Sequence, residues 1–316
     1  MEHVIISGGA GFIGSHLTKR LLNMEYRVTV IDNFSTGHKD KLKEVIDHPH
    51  LKLLNHNITK PIDLECDYLF NLASRASPKD FLKYPHDILM TNSIGTKNMI
   101  EIALSSGARF LQGSTSEVYG DPKISPQDEN YHGNVSSTGI RSCYDEGKRF
   151  AEALLFSYYR SFDMDIRIIR IFNTYGPFMN IDDGRVIPNF IKQALYKNKF
   201  TIYGKGNQTR SFCYVDDLID GMLKFMFSDD KNLKGEVINL GNPEPITINE
   251  LAIEINELIG NKMEFDFVQL PEDDPVNRCP DITKAKNLLG WSPKISRKDG
   301  LNRTIDYFKA ILNLNQ

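Results

Sequence analysis

The sequence predicts an α/β protein: a doubly wound, mainly parallel β-sheet with helices on both faces and a smaller second α/β lobe. Three observations predict it. Short β-branched runs alternate with amphipathic stretches through the first half of the chain. A glycine cluster, GGAGFIG, follows the first of these runs, and the alternation stops after FNTYGP (172–177). Alternation at this spacing implies βαβ units, whose crossovers lay helices on both sides of a parallel sheet.

In chain order, VIIS (4–7) reads as the first strand and SHLTKRLLNM as the helix that follows it. VTVI (28–31), LKLL (51–54) and YLFNL (68–72) read as the next strands. SIGTKNMIEIALSSG reads as a helix before RFLQGS (109–114), and IRIIRIF (166–172) as a further strand. From Cys143 a long half-buried helix is expected, with Phe150, Ala151, Leu154, Leu155, Tyr158 and Phe162 on one buried stripe. Beyond 177, turns such as GPFMNIDDG, YGKGNQ and LGNPEPI separate shorter elements, and VINLG (237–241) is expected to return to the sheet. The division expected is residues 1–175 as the sheet domain, with a returning segment around 212–240. Residues 176–211 and 241–316 form the second lobe.

The composition narrows the class. With 316 residues, 41% hydrophobic and 25% charged, the chain has the balance of a globular protein with a sizeable core. A formal charge of -3 gives no reason to expect nucleic acid or an anionic membrane as partner. No apolar stretch approaches the roughly 20 residues of a membrane span. The opening MEHVIISGGAG is read as leaving no room for a signal peptide. Cys66, Cys143, Cys213 and Cys279 are scattered without a CxxC pair, as expected of free thiols in a reducing, cytoplasmic setting. His48, His50 and His56 cluster in sequence without a partner set at metal-ligand spacing, so no metal is expected.

Gly8, Gly11 and Gly14 stand between the first strand and the first helix, with Phe12 and Ile13 in the same turn. This is a G-x-x-G-x-x-G form of the Rossmann fingerprint. Glycines let the backbone approach a pyrophosphate, whose charge meets the helix amino end. Asp32, followed by Asn33, ends the second strand about 20 residues on, where a carboxylate holds adenosine ribose hydroxyls. An acid there repels a 2′-phosphate, so the expected cofactor is NAD.

Tyr144 and Lys148 lie four apart in SCYDEGKR and share one helix face. The other Tyr-x-x-x-Lys match, Tyr119 to Lys123, contains Gly120 and Pro122 and is a poor helix. A phenol titrates near 10 and is a weak base at neutral pH. An adjacent ammonium and a bound nicotinamide ring favour phenolate, so Tyr144 is expected to take a hydroxyl proton while Lys148 tunes it. Thr115, Ser116 and Glu117 follow the strand RFLQGS, at the carboxyl edge where open α/β sheets bind ligands.

With these residues in place the sequence resembles the extended short-chain dehydrogenase/reductases over nearly its whole length. It is most similar to their UDP-glucuronate decarboxylase (UDP-xylose synthase) branch. The likeness is carried by STSEVYGDP (114–122), GIRSCYDEGKR (139–149), RIFNTYGP (170–177), DDGRV (182–186), TIYGKGNQTRSF (201–212), NLGNP (239–243) and DDPVNRCPDI (273–282). The resemblance implies oxidation of a UDP-uronic acid at carbon 4, loss of carbon dioxide from the resulting β-keto acid, and return of the hydride. It implies catalytic roles for Thr115, Ser116, Glu117, Tyr144, Lys148 and Arg278, with Lys148 also reaching the nicotinamide ribose. It adds Asn57, Ile58 and Leu72 to the NAD site. It assigns Asn173, Arg185, Tyr203, Gln208, Arg210 and Arg278 to the nucleotide sugar, and it implies a homodimer formed through helices that include the tyrosine helix.

Two loops depart from the family pattern. Arg75 stands where L-A-x-P-A-S-P has proline, and YHGNVSSTG, with His132, replaces Y-W-G-N-V-N-P-I-G. Arg75 either binds a substrate carboxylate or points to solvent. An N-acetylated UDP-uronic acid, a UDP-sugar 4-epimerase or 4,6-dehydratase, and a non-catalytic NAD-sensing protein stay open as alternatives.

Overall fold

β-Branched runs buried on both faces form one sheet. In the computed structural model, which describes residues 1–260, 264–269 and 277–313, the strands are β1 (His3–Ser7), β2 (Arg27–Asp32), β3 (Leu51–Asn55), β4 (Tyr68–Asn71), β5 (Arg109–Thr115), β6 (Ile166–Ile171) and, after shorter strands described below, Val237–Leu240. Among the described residues these make a seven-stranded sheet in the order Val237–Leu240, β6, β5, β4, β1, β2, β3, every pair parallel. Each strand expected from the sequence is present, and the VINLG segment does return to the sheet edge beside β6. β1 lies between β2 and β4, so the winding reverses there and opens a ligand crevice at the carboxyl ends of these strands.

Period-two alternation divides the core between the two faces. Val4 and Ile6 join Leu17 and Leu21 of α1 (Phe12–Asn23) on one face. Ile5 faces Met99 and Ile100 on the other, in α4 (Thr96–Ser106). Before α4 come α2 (Pro78–Lys83), α3 (Pro85–Met90) and one π-turn, Thr91–Gly95. Each fully buried aliphatic side chain contributes about 1.5–3 kcal/mol.

The long helix α5 (Ser142–Phe162) buries part of the expected stripe: Ala151 and Leu155 are buried, and Leu154 and Tyr158 pack against the core. Cys143, Tyr144, Gly147, Lys148, Ala151, Glu152 and Leu155 turn inward. Phe150 and Phe162 of the expected buried stripe are 50% and 59% exposed. The reason is that the inward row holds the polar Tyr144, Lys148 and Glu152, which apolar periodicity does not register.

After β6 the chain runs in short pieces: β7 (Thr174–Tyr175), α6 (Val186–Leu195), β8 (Phe200–Tyr203), β9 (Thr209–Ser211) and β10 (Cys213–Tyr214). α7 (Val215–Phe227) then packs back against α1, β11 is the edge strand Val237–Leu240, and β12 (Pro245–Thr247), α8 (Ile248–Ile259), β13 (Phe265–Val268), β14 (Asn277–Arg278), α9 (Thr283–Leu289) and α10 (Arg297–Ile311) follow. β9 pairs antiparallel with β12 and parallel with β14, setting Arg210 opposite Arg278. Thr247 and Glu250 form a reciprocal capping box that starts α8. The lobe is tied to the sheet domain at α7, where Trp291, 1% exposed, donates its indole N–H to the Asp217 carbonyl at 3.0 Å.

Candidate active site

The cofactor end is shaped by close backbone contacts. Gly8 has φ of 74°, and a Cβ there would lie 2.8 Å from Ala73 Cα. A Cβ on Gly14 would lie 2.2 Å from the Gly8 carbonyl oxygen, so the first turn of α1 sits against the strand end only because both are glycine. Gly11 is the N-cap and no side chain caps the helix, leaving its amino end to an anion. Phe12 and Ile13 are half-buried in that first turn. This cradle, which added Cβ atoms would fill, fits a dinucleotide pyrophosphate.

Asp32 stands at the end of β2, its carboxylate accepting the amides of Ala10 at 3.0 Å and Phe34 at 2.8 Å. Burial pushes its pKa up, and these two hydrogen bonds oppose the shift. Asn33 is exposed and caps the Ser35 amide at 3.0 Å. Asn57 accepts the amide and hydroxyl of Thr59, and Asn98 donates to the carbonyl of buried Ile58 at 2.7 Å. Leu72 continues from β4 with its amide on Ser7 and its side chain against Gly113.

At the carboxyl end of β5 the residues named for chemistry come together. Tyr144 is 7% exposed, its ring stacked on Phe81 at 5.3 Å and 17°, and Thr115 bonds its hydroxyl. Lys148, one turn on and also buried, donates to the Gly113 carbonyl at 2.8 Å, with its Nζ 5.8 Å from the Tyr144 ring centre. Burial pushes the phenol up to about 12; Arg185 pulls it down, while Glu117 and Asp145 push it further up. Arg185 is thus a second cation acting on Tyr144, beside the Lys148 to which the sequence pointed. Burial lowers Lys148 to about 8, and Glu152 opposes that shift.

Thr115 Oγ1 accepts the Glu117 amide at 3.2 Å and so caps the 3-10 turn Ser116–Tyr119, in which Ser116 is buried. The Glu117 carboxylate is gripped from two sides, by Arg141 on Oε2 and by Arg278 on Oε1. Burial pushes its pKa up, but Arg278 and Arg141 outweigh this and hold it at about 2. Arg278, 4% exposed, also donates to the Gly120 carbonyl at 3.2 Å, and its buried Nε has no hydrogen-bond partner among the described residues. Arg141 escaped the sequence reading. Its signal was its place three residues before Tyr144, on the same helix face.

The residues named for the nucleotide sugar lie in the second lobe and the loops facing it. Arg210 sits in register beside Arg278. Gln208 donates to the Tyr203 carbonyl at 2.9 Å, with the Tyr203 ring 44% exposed at the end of β8. The Asn173 carbonyl accepts the Cys213 amide at 2.9 Å, joining the end of β6 to the lobe. Arg185 donates to the Ala76 carbonyl at 2.7 Å, and Ser77 and Lys79 reach the carbonyls of Asp183 and Asp182, each at 2.6 Å. The two loops that flank the crevice are therefore joined. Arg75 pairs with Asp80 at 3.2 Å and lies 3.9 Å over the Tyr84 ring, with its side chain 14% exposed. His132 is exposed, its carbonyl held by Arg149 at 2.8 Å. Residues 273–276 of the DDPVNRCPDI string lie outside the described residues.

A dinucleotide cradle that shares one crevice with a buried Thr, Tyr and Lys defines the class of NAD-dependent enzymes that work on a sugar held against the cofactor. The comparisons agree. The model of the NAD dependent epimerase/dehydratase family matches residues 4–241. UDP-glucuronic acid decarboxylase 5 of Arabidopsis thaliana is 51% identical over 99% of this chain and 91% of its own. UDP-glucuronic acid decarboxylase 1 of Xenopus tropicalis is 47% identical over 98% of this chain and 73% of its own. Among solved structures, UDP-glucuronic acid 4-epimerase from Bacillus cereus, in complex with UDP-glucuronic acid and NAD, aligns with TM-score 0.89 at 30% identity. That alignment covers 98% of this chain and 99% of the epimerase. The chain belongs to the NAD dependent epimerase/dehydratase family and, within it, to the UDP-glucuronic acid decarboxylases.

Proposed function

We propose that the protein converts UDP-glucuronate to UDP-xylose and carbon dioxide with no net redox change. The observation that carries this reading is Glu117, half-buried between Arg141 and Arg278 beside Thr115 and Tyr144. NAD, when bound, accepts the hydride from sugar carbon 4 and later gives it back. Tyr144 takes the proton of the 4-hydroxyl, with Arg185 favouring the phenolate and Thr115 bonding its oxygen. The 4-ketone makes the carboxyl at carbon 6 a β-keto acid. As carbon dioxide leaves, the bond electrons collect on the 4-oxygen, where hydroxyls of Tyr144 and Ser116 stabilise them. A proton then enters at carbon 5, and Tyr144 returns its proton to the 4-oxygen.

In this reading the glycine cradle, Asp32, Asn33, Asn57, Ile58 and Leu72 hold NAD, and residues 1–175 with 212–240 form that domain. Residues 176–211 and 241–316 hold the nucleotide sugar. Arg210 and Arg278, adjacent across β9 and β14, suit a pyrophosphate because each guanidinium presents several donors in a plane. Tyr203 and Gln208 suit the uridine, and Asn173 and Arg185 the sugar side. The working unit is a homodimer, paired through the exposed apolar rows of α3 and α5. Four free cysteines fit a reducing cytoplasm. Among the described residues no helix is long and apolar enough to cross a membrane.

The test is incubation with NAD and UDP-glucuronate labelled in the carboxyl carbon, following released label and the nucleotide sugar. Label released with a UDP-pentose is expected. A product that keeps the carboxyl with carbon 4 inverted replaces this reading by the epimerase, and no turnover on any UDP-uronate refutes it. Tyr144→Phe is expected to lower turnover by about 10²–10⁴-fold while NAD still binds. Near-normal turnover in that variant overturns the proton-transfer role.

A further inference from the structure

Behind the tyrosine helix runs a chain of buried polar groups that the proposed steps leave unused. One turn after Lys148, Glu152 is 8% exposed. Its Oε1 accepts the Ser114 hydroxyl at 2.5 Å and Arg170 Nε at 3.1 Å, and its Oε2 accepts Arg170 Nη2 at 2.8 Å. Arg170 Nη1 donates onward to the Tyr119 hydroxyl at 3.0 Å, and Tyr119 donates to Asn239 Oδ1 at 2.8 Å. Asn239 donates through Nδ2 to the Gln127 carbonyl at 3.0 Å, and Gln127 Oε1 accepts the amide of Cys279, the neighbour of Arg278, at 3.0 Å. The chain of contacts runs from the helix of Lys148 to the strand of Arg278.

A buried ammonium whose hydrogen bond goes to a neutral carbonyl is costly to keep charged. A carboxylate one turn away offsets that cost, and the Arg170 fork fixes the carboxylate in place. We infer that Glu152 is a positioning residue that keeps Lys148 protonated and oriented toward the cofactor, itself held by Arg170 and Ser114. The inference rests on the role given to Lys148 in the proposed function. Charged and titratable groups on the surrounding elements include Tyr144, Asp145, Glu146, Arg149 and Arg160 on α5, Glu117 and Tyr119 on the 3-10 turn, and Arg167 and Arg170 on β6. Arg109 stands at the far end of β5, Lys97 and Glu101 on α4, and His86 and Asp87, both exposed, on α3. The π-turn brings none. Of these and Glu152, Glu152 is the one that raises the Lys148 pKa against burial.

The test follows NAD affinity by titration calorimetry from about pH 6 to 10, which brackets the lysine and needs no sugar. In the native protein affinity is expected to fall as Lys148 loses its proton. Glu152→Gln is expected to move that midpoint about one pH unit lower, and Glu152→Asp to move it less in the same direction. In the labelled-carboxyl assay kcat is expected to fall and the KM for the UDP-sugar to hold, because Glu152 bonds Ser114 and Arg170 and none of the residues proposed for the sugar. A native affinity without pH dependence, or a midpoint unmoved in the variants, overturns the inference; if Glu152→Gln does not fold, Glu152→Asp decides it. Shifted midpoints in a protein that does not decarboxylate refute the proposed function and leave this inference standing.

Discussion

At Asp145, burial works against ionisation. The side chain is 5% exposed, one carboxylate oxygen has no hydrogen-bond partner among the described residues, and the nearest Arg141 contact is 3.9 Å. Burial, then the Glu117 charge, raise its pKa to about 7 from 3.8. The folded protein therefore holds a proton that the unfolded chain releases, and the stability this gives is present below the unfolded value and lost as pH rises through the folded one. Thermal melts are expected to show stability falling between about pH 4 and 7, with Asp145→Asn flattening the profile by several degrees. Equal slopes in native and variant protein overturn the assignment. The site's reacting residues were legible because phenol, ammonium and hydroxyl stand in short strings whose spacing sets their face. The arginine pairings were not, although Arg185 and Arg278 were named for the site and Arg141 alone was missed. Arg141, Arg185 and Arg278 come from three separate segments, and only packing shows that the first and last share Glu117 while Arg185 acts on Tyr144.

The contact between β1 and α1 ties element geometry to cofactor binding. A methyl on Gly14 meets the backbone, 2.2 Å from the Gly8 oxygen and 2.7 Å from Gly9 Cα, and no side-chain rotation relieves it. Gly14→Ala is expected to push α1 from the strand end and weaken NAD binding at least about tenfold, since the helix amino end is the part proposed to meet the pyrophosphate. Gly107→Ala is the control. It has φ of 65° but nothing within 4 Å of its Cβ, so it is expected to cost about 1–2 kcal/mol of stability and leave NAD affinity unchanged. Equal NAD affinity in Gly14→Ala and native protein, by calorimetry, refutes the cradle. The sheet strands were legible as elements because strands buried on both faces read as unbroken apolar runs. The short strands β7, β9, β10, β12 and β14 span two or three residues each, too short for any period, and tertiary pairing creates them.

Over the whole molecule, part of the α5 stripe that the sequence placed inside lies outside, at Phe150 and Phe162, while Ala151 and Leu155 are buried, and this bears on assembly. Phe150, Leu154, Tyr158 and Phe162 recur at four-residue spacing, with Phe150 and Phe162 at least half exposed. Beside them, α3 and the π-turn carry Met90 at 45% and Ile94 at 47% exposure. Neighbouring helices that both show apolar rows to solvent have the form of half a helix bundle, and a second copy related by a twofold axis presents the same rows in return. The inward face of α5 carries Tyr144 and Lys148, so pairing through the outward face also steadies the helix that holds them. Sedimentation of the native protein is expected to give a dimer. Phe150→Asp buries a charge at the centre of the contact and is expected to give a folded monomer with reduced turnover. A Phe150→Asp variant that stays dimeric places the interface elsewhere, and a native protein that sediments as a monomer refutes the dimer and leaves the helix row an exposed apolar surface of the single chain.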